Sequence, residues 1–135
     1  MVTARDESGA RLFEHTKAFG GFSVDDIEAA GRFYGETLGL RVSAQDNGLL
    51  TLHFDGGGET IVYPKPDHVP AAFTILNFPV PDIDAAVDEL AARGVELERY
   101  DGFPQDGRGI QRGPGTPPIG WFKDPAGNIL AVLEM

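Results

Sequence analysis

The stretch FSVDDIEAAGRFYGETLGLRVS, residues 22–43, returns 56 positions later as FPVPDIDAAVDELAARGVELE, residues 78–98. Val24 matches Val80, Asp26 matches Asp82, Ile27 matches Ile83, and the Ala pairs 29/30 and 85/86 coincide. Each copy is preceded by an apolar run, AFGGFSV or FTILNFPV, that reads as a strand. An Asp follows, whose side chain can accept the free amide hydrogens of a helix start; in DDIE, Asp25 and Glu28 stand at capping-box spacing. Apolar residues then recur three and four apart, as Ile27, Ala30, Tyr34 and Leu38 in one copy and Ile83, Ala86, Val87 and Leu90 in the other. Gly39 and Gly94 end these helices, because glycine enters the left-handed cap without a Cβ penalty.

Outward from this pair a second repeat appears. FDGGGETIVYPK resembles KDPAGNILAVLE, with Asp55 on Asp124 and Gly58 on Gly127 at an offset of 69, so the second copy holds 69 − 56 = 13 extra residues. Strand-like runs follow each helix: LRVSA, LLTLHF and TIVYP in the first copy, VELERY, IGWFK and NILAVLE in the second. The predicted fold is α+β, with two tandem βαβββ modules whose sheets carry helices on the outer face and leave a cup on the other. The expected organisation is a loose tail at 1–15 and one domain at 16–135, divided into modules 16–68 and 72–135. The extra residues fall in 101–118, where nine of eighteen are Gly or Pro; this reads as an irregular loop and a candidate lid.

At 135 residues the chain can bury a core without staples, and the absence of cysteine removes disulfides, thiolate chemistry and Cys-based zinc sites. A formal net charge of −10 opposes any phosphate backbone, so nucleic acid is not an expected partner. No apolar run reaches signal-peptide or membrane-spanning length, so no membrane partner and a cytoplasmic protein are expected.

VDDIEAAGRFYGETLGL, with its Phe-Tyr and Leu-Gly-Leu ending, and WFKDPAGN, in this order and on a duplicated unit, resemble the vicinal oxygen chelate superfamily over residues 16–135. That superfamily includes glyoxalase I, extradiol dioxygenases, fosfomycin-resistance enzymes and bleomycin-resistance proteins. The resemblance implies a homodimer. It also places a divalent metal at Phe19, Val62, Ile75 and Ala131 in its enzymes, and all four residues here are apolar. Such side chains offer no donor to replace a hydration shell, so no metal and no other cofactor is expected. His15, His53 and His68 are the remaining candidates, and alternation along LLTLHF turns His53 away from the cup if Leu52 faces it.

The same alternation predicts a pocket lined by Phe19, Gly21, Ser23, Ile75 and Asn77. Leu52, Val62, Trp121 and Ala131 close it. Either this bowl takes a small organic molecule or it is a filled core. Asn77 is a ligand anchor or a satisfied structural amide, and Arg108 and Arg112 either clamp an anionic group from the lid or balance Asp101 and Asp106. No catalytic set is readable. Two functions are therefore expected as alternatives: a metal-free binding protein of the bleomycin-resistance type, or a lyase- or isomerase-type enzyme working without the usual metal ligands or with displaced ones.

Overall fold

The computed structural model describes residues 11–135. Its first module runs β1 (Gly20–Val24), α1 (Ile27–Arg32), β2 (Arg41–Ala44), β3 (Leu50–His53) and β4 (Glu59–Pro64). The second runs β5 (Thr74–Val80), α2 (Ile83–Ala92), β6 (Gln111–Gly113), β7 (Thr116–Lys123) and β8 (Ile129–Glu134). Both sheets share one topology, β1-β4-β3-β2 and β5-β8-β7-β6, with the first strand parallel to the last and the other neighbours antiparallel. The α+β class and the duplicated βαβββ unit are those read from the sequence. Of the expected tail, residues 1–10 lie outside the described residues, and 11–15 are exposed beside an Arg11–Glu14 ion pair.

Local chemistry accounts for the helices. Asp26 and Asp82 are the N-caps, each accepting an amide hydrogen at 3.1 Å, from Ala29 and Ala85 respectively. α1 closes with a π turn, Phe33–Thr37, in which the Leu38 amide reaches the Phe33 carbonyl at 2.9 Å. Gly39 follows at φ 77°, a conformation that a Cβ would strain.

One continuous core lies on the helix side of both sheets. Phe22, Val24, Leu52 and Val62 meet Tyr34 and Ala30 of the first helical segment, and Phe122, Leu130 and Val132 meet Ile83 and Val87 of α2. The modules are joined by polar ties as well. Tyr34 Oη donates to Asp124 Oδ2 at 2.7 Å, and Asn128 Nδ2 donates to the Ser23 carbonyl at 3.0 Å. His68, in the linker, places Nδ1 2.6 Å from Ser23 Oγ and Nε2 3.0 Å from the Ala126 carbonyl, so it is a structural tie rather than a loose linker residue. Among the described residues no ladder joins β1 to β5, which leaves a seam between the sheets.

The register corrects the repeat. Phe22 stands beside Val62 and Phe78 beside Val132, so the hairpins correspond at 132 − 62 = 70 rather than 69. The turns agree: Phe54 N–H bonds Gly58 O at 3.2 Å, as Asp124 N–H bonds Asn128 O at 3.0 Å. A one-residue slip moves every side chain to the opposite face. Leu52 and Val62, expected in the pocket, are fully buried against the helices, and Thr51, His53, Ile61 and Tyr63 take the helix-free face instead.

A second correction concerns VELERY, which forms no strand. The Glu98 amide makes one bond to the Trp121 carbonyl at 2.6 Å. Val95 N–H bonds the Leu90 carbonyl at 2.8 Å, and Gln105 adds side-chain bonds, accepting from Tyr100 N–H at 2.8 Å and donating to the carbonyls of Glu98 (2.9 Å) and Gly109 (2.8 Å). The Gln105 side chain thus ties the end of this segment without a strand neighbour. The edge place in the sheet falls to β6, inside the loop expected to be irregular, and Ile110 anchors that loop with no solvent exposure.

Candidate functional site

Two cavities open at the first strand of the first module. One is a slot of about 380 Å³ in the seam, lined by Gly21, Ser23, Tyr63, Val69, Phe73 and Ile75 among others. It exists because β1 and β5 approach without bonding and because Gly20 and Gly21 withhold side chains; a Cβ built on Gly20 meets nothing within 4 Å. Ser23 and Asn128 supply polar points on its wall, and both are tied down by the bonds to His68 and to the Ser23 carbonyl. Val69 and Phe73, 80% and 69% exposed, stand at its rim as apolar surface in need of cover.

The other cavity, about 370 Å³, lies at the approach to β1 and is lined by Lys17, Phe19, Arg41, His53, Phe54 and Glu59 among others. Three strands build its polar wall. Arg41, His53 and Glu59 are direct cross-strand partners on β2, β3 and β4. His53 Nδ1 lies 2.9 Å from Glu59 Oε2, and its Nε2 lies 2.7 Å from Ser43 Oγ, so both ring nitrogens are held. Sequence reasoning turned His53 away because it followed the 69-residue offset. Pairing Phe54 with Asp124 would have turned it in.

Asn77, Ala131 and Trp121 stand side by side on β5, β8 and β7, on the helix-free face. Asn77 is exposed, and no hydrogen bond within the described residues marks it as a structural amide. Ala131 is fully buried, and Trp121 is half-buried against Tyr100 and Phe103, with ring centroids at 5.8 and 5.5 Å. The expected pocket is therefore divided: Gly21, Ser23 and Ile75 share the slot, Phe19 borders the second cavity, and Asn77, Trp121 and Ala131 form a separate patch.

Arg108 and Arg112 do not reach this face. Arg108 pairs with Asp84 at 3.0 Å and with Asp88; Arg112 pairs with Asp84 at 2.8 Å and Asp106 at 3.2 Å. Asp84 and Asp88 belong to α2, on the other side of the sheet. Partial burial pushes the Asp106 carboxyl up, but the amide hydrogens of Ile110 and Arg108 and the Arg112 guanidinium hold it below the usual carboxylate range. The pair fastens the loop to the helix, which removes the basis for a lid clamp.

After the register correction the positions assigned to a metal by the resemblance are Phe19, Ile61, Ile75 and Ala131. Ile61 replaces Val62 and is equally without a donor, so these residues do not fit a dication. Among the described residues, no group of three or more His, Cys, Asp or Glu is placed to hold one.

Residues 13–132 match the family described as Glyoxalase/Bleomycin resistance protein/Dioxygenase superfamily. Among solved structures the fold is similar to a member of that superfamily from Sphaerobacter thermophilus DSM 20745, with TM-score 0.68 and 21% identity over 89% of this chain and 98% of that one. It is also similar to TnmS3, an antibiotic binding protein from Streptomyces sp. CB03234, with TM-score 0.62 and 24% identity over 89% and 97%. A third likeness is to FosX, a genomically encoded fosfomycin resistance protein from Listeria monocytogenes, with TM-score 0.68 and 12% identity over 87% and 91%. Among curated proteins none matches.

Proposed function

The chain belongs to the glyoxalase/bleomycin resistance protein/dioxygenase superfamily, and from that premise we propose that it binds a small organic molecule in the seam slot, without a metal. The observation that carries this reading is the slot itself: about 380 Å³, within the range of small-molecule sites, with glycines at β1 and exposed Val69 and Phe73 at its rim. The apolar side chains at 19, 61, 75 and 131 support the metal-free part. TnmS3, an antibiotic binding protein of similar fold, fits this reading. The acidic, cysteine-free chain suits the cytoplasm, and no helix among the described residues is long and apolar enough to cross a membrane.

The test is a thermal-shift screen of planar heteroaromatic compounds with and without a chelator. Compounds that enter the slot raise the melting temperature, and the chelator changes neither that gain nor the melting temperature of the free protein. A metal-to-chain ratio near one by elemental analysis, lost together with stability in chelator, overturns the metal-free reading.

A second copy of the chain is the proposed protein partner. Its support is the family together with the exposed apolar side chains Val69, Phe73 and Phe103, which a homodimer would cover. Light scattering at tens of micromolar is expected to give twice the monomer mass, and monomer alone would refute it.

One observation favours a second reading, a metal-independent enzyme. The Glu59–His53–Ser43 relay holds an imidazole at a cavity wall in the arrangement of a general base with its orienting carboxylate. Turnover of a compound bound in the cavity that His53 lines, abolished by His53→Gln while binding persists, would establish it.

A further inference from the structure

The cavity at the approach to β1 is distinct from the slot, and its charges are unbalanced in one direction. In this chain of net charge −10, Arg11, Lys65, Arg93, Arg108, Arg112 and Lys123 each pair with a carboxylate. Lys17 and Arg41, which line this cavity, make no ion pair or side-chain hydrogen bond among the described residues. Arg99 bonds only backbone carbonyls, and Arg32, also without an ion pair among the described residues, shares its cavity with Glu28 and Glu36; Lys17 and Arg41 are set apart by lining one cavity together, in a chain whose acids are in nearly twofold excess over Lys and Arg. The carboxylate that faces them, Glu59, is engaged by His53 at 2.9 Å, and His53 is held on its other side by Ser43. The remaining wall is aromatic: Phe19, 67% exposed, and Phe54.

From this juxtaposition we infer that the cavity is a binding subsite for an aromatic carboxylate, with the carboxylate on Arg41 and Lys17 and the ring on Phe19. A guanidinium matches a carboxylate with two parallel hydrogen bonds, and Lys17 adds a second positive charge. The Phe19 ring supplies a flat apolar surface of the size an aromatic group covers. Because both cations are exposed, the attraction is screened, so binding is modest in strength and weakens as salt rises. Glu59 opposes any anion whose carboxylate is placed too deep, which favours a ligand that keeps its charge toward Arg41.

The probe is 1-naphthoate, measured by calorimetry at low salt beside its neutral isostere 1-naphthamide. The acid is expected to bind at least about tenfold more tightly than the amide, since the two differ only in the charge that Arg41 and Lys17 recognise. Arg41→Gln with Lys17→Gln should remove that preference, and Phe19→Ala should weaken both compounds severalfold. Arg41, Lys17 and Phe19 all lie at exposed positions, so the variants are expected to fold, which their circular dichroism and melting temperature verify. Gly20→Phe, at a residue that lines the slot and not this cavity, should leave naphthoate binding unchanged, and this separates the subsite from the slot reading above. Equal affinities for acid and amide, an undiminished preference in the double variant, no naphthoate binding at millimolar concentration, or loss of binding in Gly20→Phe would each overturn the inference.

Discussion

Asp124→Ala is expected to cost about 3–5 kcal/mol of stability, a large share of the roughly 5–15 kcal/mol that a domain holds. Asp124 is only 5% exposed and accepts four hydrogen bonds. Three serve the β7–β8 turn: the amides of Ala126 and Asn128 at 3.0 and 2.8 Å, and Asn128 Nδ2 at 3.0 Å. The fourth comes from Tyr34, fully buried in the other module. Alanine leaves that hydroxyl without an acceptor in an apolar surround and frees the turn, so the penalty combines desolvation with lost local structure. Tyr34→Phe should cost only about 1–2 kcal/mol, because the carboxylate keeps its other three donors. Urea melts of the two single variants and the double variant should show coupling of about 1–3 kcal/mol. Additive losses would show that the Tyr34–Asp124 contact does not bind the modules together.

The same contact sets an alkaline limit. Burial first, then the Asp124 charge, then its hydrogen bond, push the Tyr34 hydroxyl well above the usual tyrosine range. A raised folded-state value means that this stability is complete below the unfolded value of about 10. It is lost above that pH, where the unfolded chain releases a proton the folded chain keeps. The slope expected from one such group is about 1.4 kcal/mol per pH unit. Tyr34→Phe should flatten it, leaving the smaller contribution of Tyr100, whose partial burial and neighbouring Glu98 raise it in the same sense.

What the sequence made legible followed from residues whose role is local. Asp26 and Asp82 cap their helices, and Gly39 and Gly94 carry the positive φ that ends them, because caps and left-handed turns are decided within a few residues. The register of the first hairpin was not decided locally. The identity of Asp55 with Asp124 pointed to one alignment, but the turn bonds place Phe54 opposite Asp124, and the run Gly56–Gly58 offers no side chain to distinguish them. That single residue separated Leu52 and Val62 from the pocket and brought His53 and Glu59 to the helix-free face. Asp106, a partner of Arg112, was named from the sequence, but Asp84 and Asp88 were invisible for another reason: they lie 20 to 28 residues away on α2, and only the folded loop brings them within reach. A Gly- and Pro-rich composition allowed an irregular loop, yet the buried Ile110 and the Gln105 amide hold it as packed structure.

Gly20→Phe is expected to weaken slot binding by about 70-fold while leaving the fold intact. The argument begins with space. A Cβ at Gly20 meets nothing within 4 Å, and its φ is not positive, so a side chain is admitted without strain or clash. Replacing a strand glycine also reduces the entropy lost on folding, so the variant should unfold within about 1 kcal/mol of the parent. Gly20 lines the slot, so the added ring takes up part of the space there that a ligand needs. A ligand covering about 200 Å² of apolar surface gains about 5 kcal/mol before association costs, and excluding half of that contact removes about 2.5 kcal/mol. That loss corresponds to the 70-fold change in Kd. Gly20→Ala adds a methyl group to open space and should change affinity less than threefold, which makes it the control for the backbone alone. Calorimetry with any compound that stabilises the parent protein decides the matter. If the phenylalanine variant binds as tightly as the parent, the ligand is held elsewhere, and the Trp121–Ala131–Asn77 patch becomes the surface to test next.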